Sequence, residues 1–301
     1  VTGSTPVGAT RKRQIVTIIF GLLSAFSYGY ADFVGAIAAK KVRALAVTTV
    51  AFVFGLTIAV FLSLFFGASY QLSVIQIGIY AGVCSAAAIT FLYAALALGP
   101  ISIVSPLTAV LSAMIPVLFD VASGQQLSAF ALVAIAMILV AVVLVAFIPG
   151  DAVRLPTLRA TLYSVGAGVG FAGIFLFLDM APEGSGLGVL VVMRVVGLVL
   201  LAGGLIGLML AGRSKVFVEK ELFGKSVFPL VLLAGLGDVT GNVFFMIATS
   251  SGALAVAAVL TSLYPVGTIL LARIFLKERI ALSQNIGIAL AIAACAILAA
   301  G

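Results

Sequence analysis

Long uninterrupted apolar runs, each close to twenty residues, alternate with short polar breaks, and this alternation restricts the fold more than any other feature of the chain. A helix needs about 20 apolar residues to cross the hydrocarbon of a bilayer. With 301 residues, 64% of them hydrophobic and only 8% charged, the chain has room for ten such helices and little else. A soluble domain carries about 25% charged residues, so this surface must face lipid. The sequence therefore predicts an all-α polytopic membrane protein whose ten transmembrane helices run over 14–38, 45–66, 73–98, 101–121, 128–148, 155–179, 187–211, 227–249, 252–275 and 282–300. The first run follows Arg11, Lys12 and Arg13, but it is longer than twenty residues and nine similar runs follow, so it reads as a span rather than a cleaved leader. The polar stretch 212–225 reads as an amphipathic linker at the membrane surface.

The net charge of +7 sits in small Lys/Arg clusters between the apolar runs, which is loop chemistry at a membrane surface and excludes nucleic acid as a partner. Lys40, Lys41, Arg43, Arg154, Arg159, Arg213, Lys215, Lys220, Lys225, Lys277 and Arg279 fall on one side of the predicted topology, against Arg11, Lys12 and Arg13 of the N-terminal tail on the other. That distribution favours termini outside the cell. Histidine is absent, removing the commonest metal ligand and catalytic base, and no phosphate-binding loop of the Gly-x-x-x-x-Gly-Lys-Ser/Thr type is present. Cys84 and Cys295 lie far apart inside apolar runs, where neither a metal nor a disulfide is expected. No cofactor is expected, and any transport would run on a gradient.

The chain repeats itself. The segment 252–283, GALAVAAVLTSLYPVGTILLARIFLKERIALS, has an earlier echo in 99–128, GPISIVSPLTAVLSAMIPVLFDVASGQQLS. At an offset of 153 residues Gly82 pairs with Gly235, Phe91 with Phe244, Gly99 with Gly252 and Thr108 with Thr261. The repeats would be 1–150 and 151–301, five helices each. Five is odd, so the second repeat enters the membrane from the opposite side. Such inverted repeats place a substrate site near the midplane between them and permit alternating access by rocking.

The closing segment LTSLYPVGTILLARIFLKERIALSQNIGIALAIAACAIL resembles the EamA-type families of the drug/metabolite transporter superfamily, in which a Pro-broken helix, a Leu-x-Glu-Arg-type turn and a last apolar helix recur. SPLTAVLSAMIPVL resembles the corresponding part of the first repeat, with Ser123-Gly124-Gln125-Gln126 replacing the charged turn. The resemblance implies a secondary or facilitative exporter of small metabolites in the bacterial inner (plasma) membrane. Amino acids are the foremost substrates it suggests, with YddG-type exporters of aromatic amino acids as the nearest picture. It also implies cytoplasmic termini, against the charge distribution. Proton coupling is compatible with this reading. The rival classes are an intramembrane enzyme acting on lipids, which the lack of His and of paired acids disfavours, and a non-transporting scaffold or channel.

Charged and polar residues inside spans are costly enough to mark candidates for the site. Asp238 lies near the middle of the eighth span, with Asn242 one turn on and Gly235 before it, a polar stripe along a small-residue groove. The stripe reads as a substrate or coupling wall, or as interhelical glue. At the 153 offset the matching face of span three carries Gly82, Ser85 and Tyr93. Tyr28, Tyr80 and Tyr264 lie well inside spans, where a buried hydroxyl needs a partner. Thr108 and Thr261 stand beside the helix-breaking Pro106 and Pro265, and Phe171 matches Tyr28 at an offset of 143. The candidate cavity is therefore lined by Tyr28, Tyr80, Ser85, Tyr93, Thr108, Phe171, Asp238, Asn242, Thr261 and Tyr264, from spans one, three, four, six, eight and nine. Arg194 is expected to snorkel or to pair with Asp179 or Glu183, and Asp32 and Asp120 to cap or pair near span ends.

Overall fold

The computed structural model describes residues 7–39, 41–42, 44–98, 101–146, 157–210, 220–275, 277 and 281–300. The Gly99-Pro100 turn, the boundary at 150/151, Glu278 and Arg279 of the charged turn, and the side chains of Tyr93 and Pro106 lie outside what is described.

Apolar residues on every face of a helix suit a bilayer, and the chain folds accordingly. The helices are α1 (Val7–Ala39), α2 (Ala44–Phe66), α3 (Leu72–Leu98), α4 (Ile101–Ala122), α5 (Ala129–Ala146) and α6 (Leu158–Asp179). After them come α7 (Gly188–Leu210), α8 (Phe228–Ser251), α9 (Leu254–Thr261), α10 (Tyr264–Phe275) and α11 (Leu282–Ala300). Eight stretches, with α9 and α10 taken as one, are long and apolar enough to cross a membrane, and the apolar stretches Leu107–Ala122 and Ala129–Val145 are shorter. Large apolar side chains such as Phe61, Leu64, Leu158, Leu210 and Phe275 point outward at 57–85% exposure, a surface compatible with lipid and not with water. The chain is a multi-pass membrane protein.

Short polar devices end the helices. The Thr157 hydroxyl accepts from Ala160 N–H at 3.2 Å and the Ser128 hydroxyl from Ala131 N–H at 3.1 Å, each satisfying a donor left open at a helix start. The α2–α3 and α6–α7 connections are tied together: Ser69 N–H donates to Ser185 O and Leu187 N–H to Gly67 O, both at 2.9 Å. Gly67 and Gly186 supply the left-handed backbone (φ +76° and +54°) this junction needs. At the same membrane face the Gln14 amide donates to Leu298 O at 2.7 Å, so α1 begins where α11 ends. At the other face a 3₁₀ turn, Lys220–Phe223, stands in the expected linker. Its Leu222 is buried with Ala38, Val42, Val47, Val227 and Val231.

Small residues let the helices close on one another. α1 runs along α8 and α3 along α6. A Cβ on Gly170 (α6) would come within 2.8 Å of Ala88 Cα, and one on Gly241 (α8) within 2.9 Å of the Tyr28 ring. Around these two seams α2 contacts α7 and α8, α3 contacts α7, α4 contacts α6 and α9, α1 contacts α9 and α10, and α5 pairs with α11.

The two proline-containing segments behave differently. α4 continues through Pro106 and Pro116 as one helix, so the loss of their N–H donors does not part the chain there. The ninth span is split at Ser262–Leu263 into α9 and α10. Pro265 has no N–H to offer Thr261 O, and the chain tightens into a turn in which Leu263 N–H reaches Leu260 O and Val266 N–H reaches Leu263 O. α1 crosses this break closely, because a Cβ on Gly29 would meet Tyr264 O at 2.5 Å and the Thr268 hydroxyl donates to Gly29 O at 3.1 Å.

Candidate functional site

A charged centre lies within the bundle, where α1, α2, α7 and α8 meet. Arg194, one turn and a half into α7, is 1% exposed, and its guanidinium donates to Asp238 Oδ2 of α8. The expectation that Arg194 snorkels or pairs with Asp179 or Glu183 is thus corrected. Spacing along the chain favoured the nearby acids, but the fold brings α8 alongside. Arg194 also stacks on Phe52 of α2, with Cζ 4.9 Å from the ring centroid, and Gly55 lets α2 lie close on α8, since a Cβ there would come within 3.2 Å of Val239 Cγ2. One opposite charge and an aromatic face therefore accommodate the buried cation. Among the described residues its Nε has no partner.

Asp238 differs from Arg194 in that a third of its side chain (33%) is exposed. Asp32, one turn beyond Tyr28 on α1, is exposed and lies within the field of the Asp238 charge. Tyr28 in turn is half-buried and lies within the field of Asp238, Arg194 and Asp32. Carboxylates at this depth are costly against hydrocarbon, so the exposed surfaces of Asp32 and Asp238 suit water within the bundle rather than lipid. Tyr28 continues into an aromatic row, with its ring 6.5 Å from Phe175, which stacks on Phe245 at 4.5 Å. Asn242, one turn after Asp238, is buried. Its amide donates to Asp238 O at 2.7 Å and its Oδ1 has no partner among the described residues.

The sequence candidates divide into groups. Tyr28, Asp238 and Asn242 come together here. Thr261 and Tyr264 lie at the helix break against α1, where the fully buried Thr261 hydroxyl is without a partner among the described residues. Thr108 is on the α4–α6 seam, its hydroxyl 3.4 Å from Ser164 O, and Ser85 is buried on α3. Tyr80 is 55% exposed beside Phe177, a peripheral position. Phe171 packs partly buried on the main core, while its neighbour one turn on, Phe175, makes the contact with Tyr28. Asp120 caps across the bundle, its Oδ2 accepting from Ala255 N–H at 2.7 Å at the start of α9.

Asp32, expected to cap or pair near a span end, and Arg194, expected to snorkel or pair locally, instead adjoin this centre, together with Phe52 and Phe175, which were not placed in the candidate cavity. Asp32 was findable, since it stands four residues after Tyr28 and so on the same helix face. The partnership of Arg194 with Asp238 carries no spacing signal, because it depends on two helices 44 residues apart in sequence.

Residues 158–300 match the EamA-like transporter family. No curated protein matches the chain. A solved crystal structure superposes with a TM-score of 0.73 at 17% identity, covering 93% of this chain and 95% of the other, which establishes a shared fold.

Proposed function

We propose that this chain is a membrane transporter of small solutes in the drug/metabolite transporter superfamily, working by alternating access around the Arg194–Asp238 centre. The observation that carries the reading is a charged pair inside a membrane bundle of which one member is sealed and the other is a third exposed. Glue between helices needs no exposed carboxylate, whereas a solute or proton site does. The match of residues 158–300 to the EamA-like transporter family supports the same activity rather than an intramembrane enzyme.

The proposed architecture is ten passes in two inverted repeats, 1–150 and 151–301. The packing supports it: exchanging each helix of the first half for its counterpart in the second turns the α1–α8 seam into α6–α3. The same exchange turns the α4–α6 contact into that of the broken ninth span with α1, and it maps the α2–α7 and α4–α9 contacts onto themselves. Rocking of one half against the other would open the centre to each membrane face in turn. The proposed substrates are amino acids, the setting a bacterial inner membrane, and protons a candidate coupling ion. The YddG-type preference for aromatic amino acids rests on resemblance and on the Tyr28–Phe175–Phe245 row.

The test is counterflow. Full-length protein in liposomes loaded with unlabelled amino acid should accumulate external labelled amino acid above the level of empty liposomes, with and without an imposed proton gradient. No flux for any member of an amino-acid and metabolite panel would refute the reading.

A further inference from the structure

The charged centre does not balance. Ser27 O and Ala31 Cβ of α1 lie against Gly237 of α8 and the Tyr28 ring against Gly241, so among the described residues two carboxylates, Asp32 and Asp238, stand beside one guanidinium, Arg194. The cation is committed, since Arg194 is 1% exposed, bonded to Asp238 and covered by Phe52. What the centre shows to the internal space is therefore acidic: the exposed Asp32 and the third of Asp238 left uncovered. A second, independent feature asks for the same kind of ligand. Asn242 uses its amide N–H₂ on Asp238 O, and this fixes the opposite end of the side chain as a buried acceptor with no donor among the described residues. Among the described residues the unbonded Arg194 Nε is one donor against two carboxylates and the Asn242 oxygen, and this excess of acceptors suits a group that brings N–H donors and a positive charge. Beside it the half-buried Tyr28 ring, backed by Phe175 and Phe245, offers an aromatic wall.

Resting on the transporter reading above, we infer that the specificity of this site is for a protonated amine on a small aromatic or apolar body, recognised by Asp32, Asp238 and the Asn242 carbonyl. The substrate's carboxylate, where there is one, is not what the centre reads, because Arg194, the one buried cation among the described residues, is already bonded to Asp238. An amino acid enters as an amine, and its decarboxylated counterpart should be accepted as well. Asp32 is the specificity-determining residue in this account. It supplies the unmatched charge, while Asp238 is held by Arg194.

Three probes of one shape decide the matter: phenethylamine, phenylalanine and 3-phenylpropionate, titrated against the full-length protein in nanodiscs and then used in counterflow. Phenethylamine and phenylalanine should bind, and 3-phenylpropionate should bind at least about tenfold more weakly. Asp32→Asn should weaken phenethylamine about tenfold or more, as expected when a charge-assisted partner is lost. Asp32→Glu should stay within about threefold, with both variants eluting as folded protein by size exclusion. Equal affinity for 3-phenylpropionate, unchanged amine affinity in Asp32→Asn, or no binding of any probe would overturn the inference. The transporter reading falls on a different result, the absence of flux for the whole solute panel.

Discussion

Replacing either member of the Arg194–Asp238 pair removes the same bond, yet the two replacements should differ in cost. In Asp238→Asn the guanidinium of Arg194 stays at 1% exposure, held between Phe52 and α8 with no anion bonded to it. Stranding a buried charge costs about 3–5 kcal/mol. The lower end applies here, about 3 kcal/mol, because Asp238 is 33% exposed and the pair is partly hydrated to begin with. In Arg194→Met the cation goes, the apolar stem still covers Phe52, and the remaining carboxylate turns to the internal water, so the cost should be about 1 kcal/mol. The double variant leaves no stranded charge and should be no less stable than Asp238→Asn alone. Reversible unfolding in bicelles, followed for the two single variants and the double, measures all three values. An Arg194→Met variant as unstable as Asp238→Asn, or a double variant whose loss equals the sum of the singles, would refute the asymmetry between a sealed cation and a hydrated anion.

Further expectations follow from the packing and the helix break. Gly170→Ala should destabilise by about 1–3 kcal/mol, because its methyl would press on the Ala88 backbone at 2.8 Å, whereas Gly203→Ala, with nothing within 4 Å, should fall within about 0.5 kcal/mol of the parent by the same unfolding assay. Thr261→Val should hold or raise stability by up to about 1 kcal/mol, since the hydroxyl it removes is buried without a partner among the described residues; a loss of comparable size would show that hydroxyl to be engaged. Asp120→Ala should cost about 1–2 kcal/mol by uncapping α9 at Ala255, measurable by thermal unfolding in detergent. Pro265→Ala restores a backbone N–H where α9 and α10 part, and counterflow should slow if the break serves as a joint in the transport cycle.

The membrane character was legible because it depends only on run length and composition, and the eight long apolar helices need nothing more. The break at Tyr264-Pro265 was legible too, but Pro106 removes the same kind of donor and α4 continues past it unbroken. A proline signals the loss of a hydrogen bond, and whether the helix parts there is decided by what lies against it. At the ninth span that neighbour is α1, whose Gly29 sits directly over Tyr264 O. Within the site, Asp238 stood out because one acid near the middle of a span is conspicuous in a sequence that is 8% charged. Its partner did not, since the choice among Asp179, Glu183 and Asp238 is made by helix packing. Tyr80 shows the converse: aromatic depth along a span says nothing about which face of the helix it occupies, and the fold turns that ring outward.

The central claim, that the Arg194–Asp238 centre is where a small solute is bound and passed through the bundle, is tested most directly by counterflow with labelled phenylalanine. The parent protein should be compared with Asp238→Asn in liposomes at matched levels of folded protein. The account predicts accumulation by the parent and at least a tenfold slower rate, or none, in the variant, on the order expected when a charge-assisted contact to the solute is lost. Equal rates in the two, with both proteins folded, would contradict it.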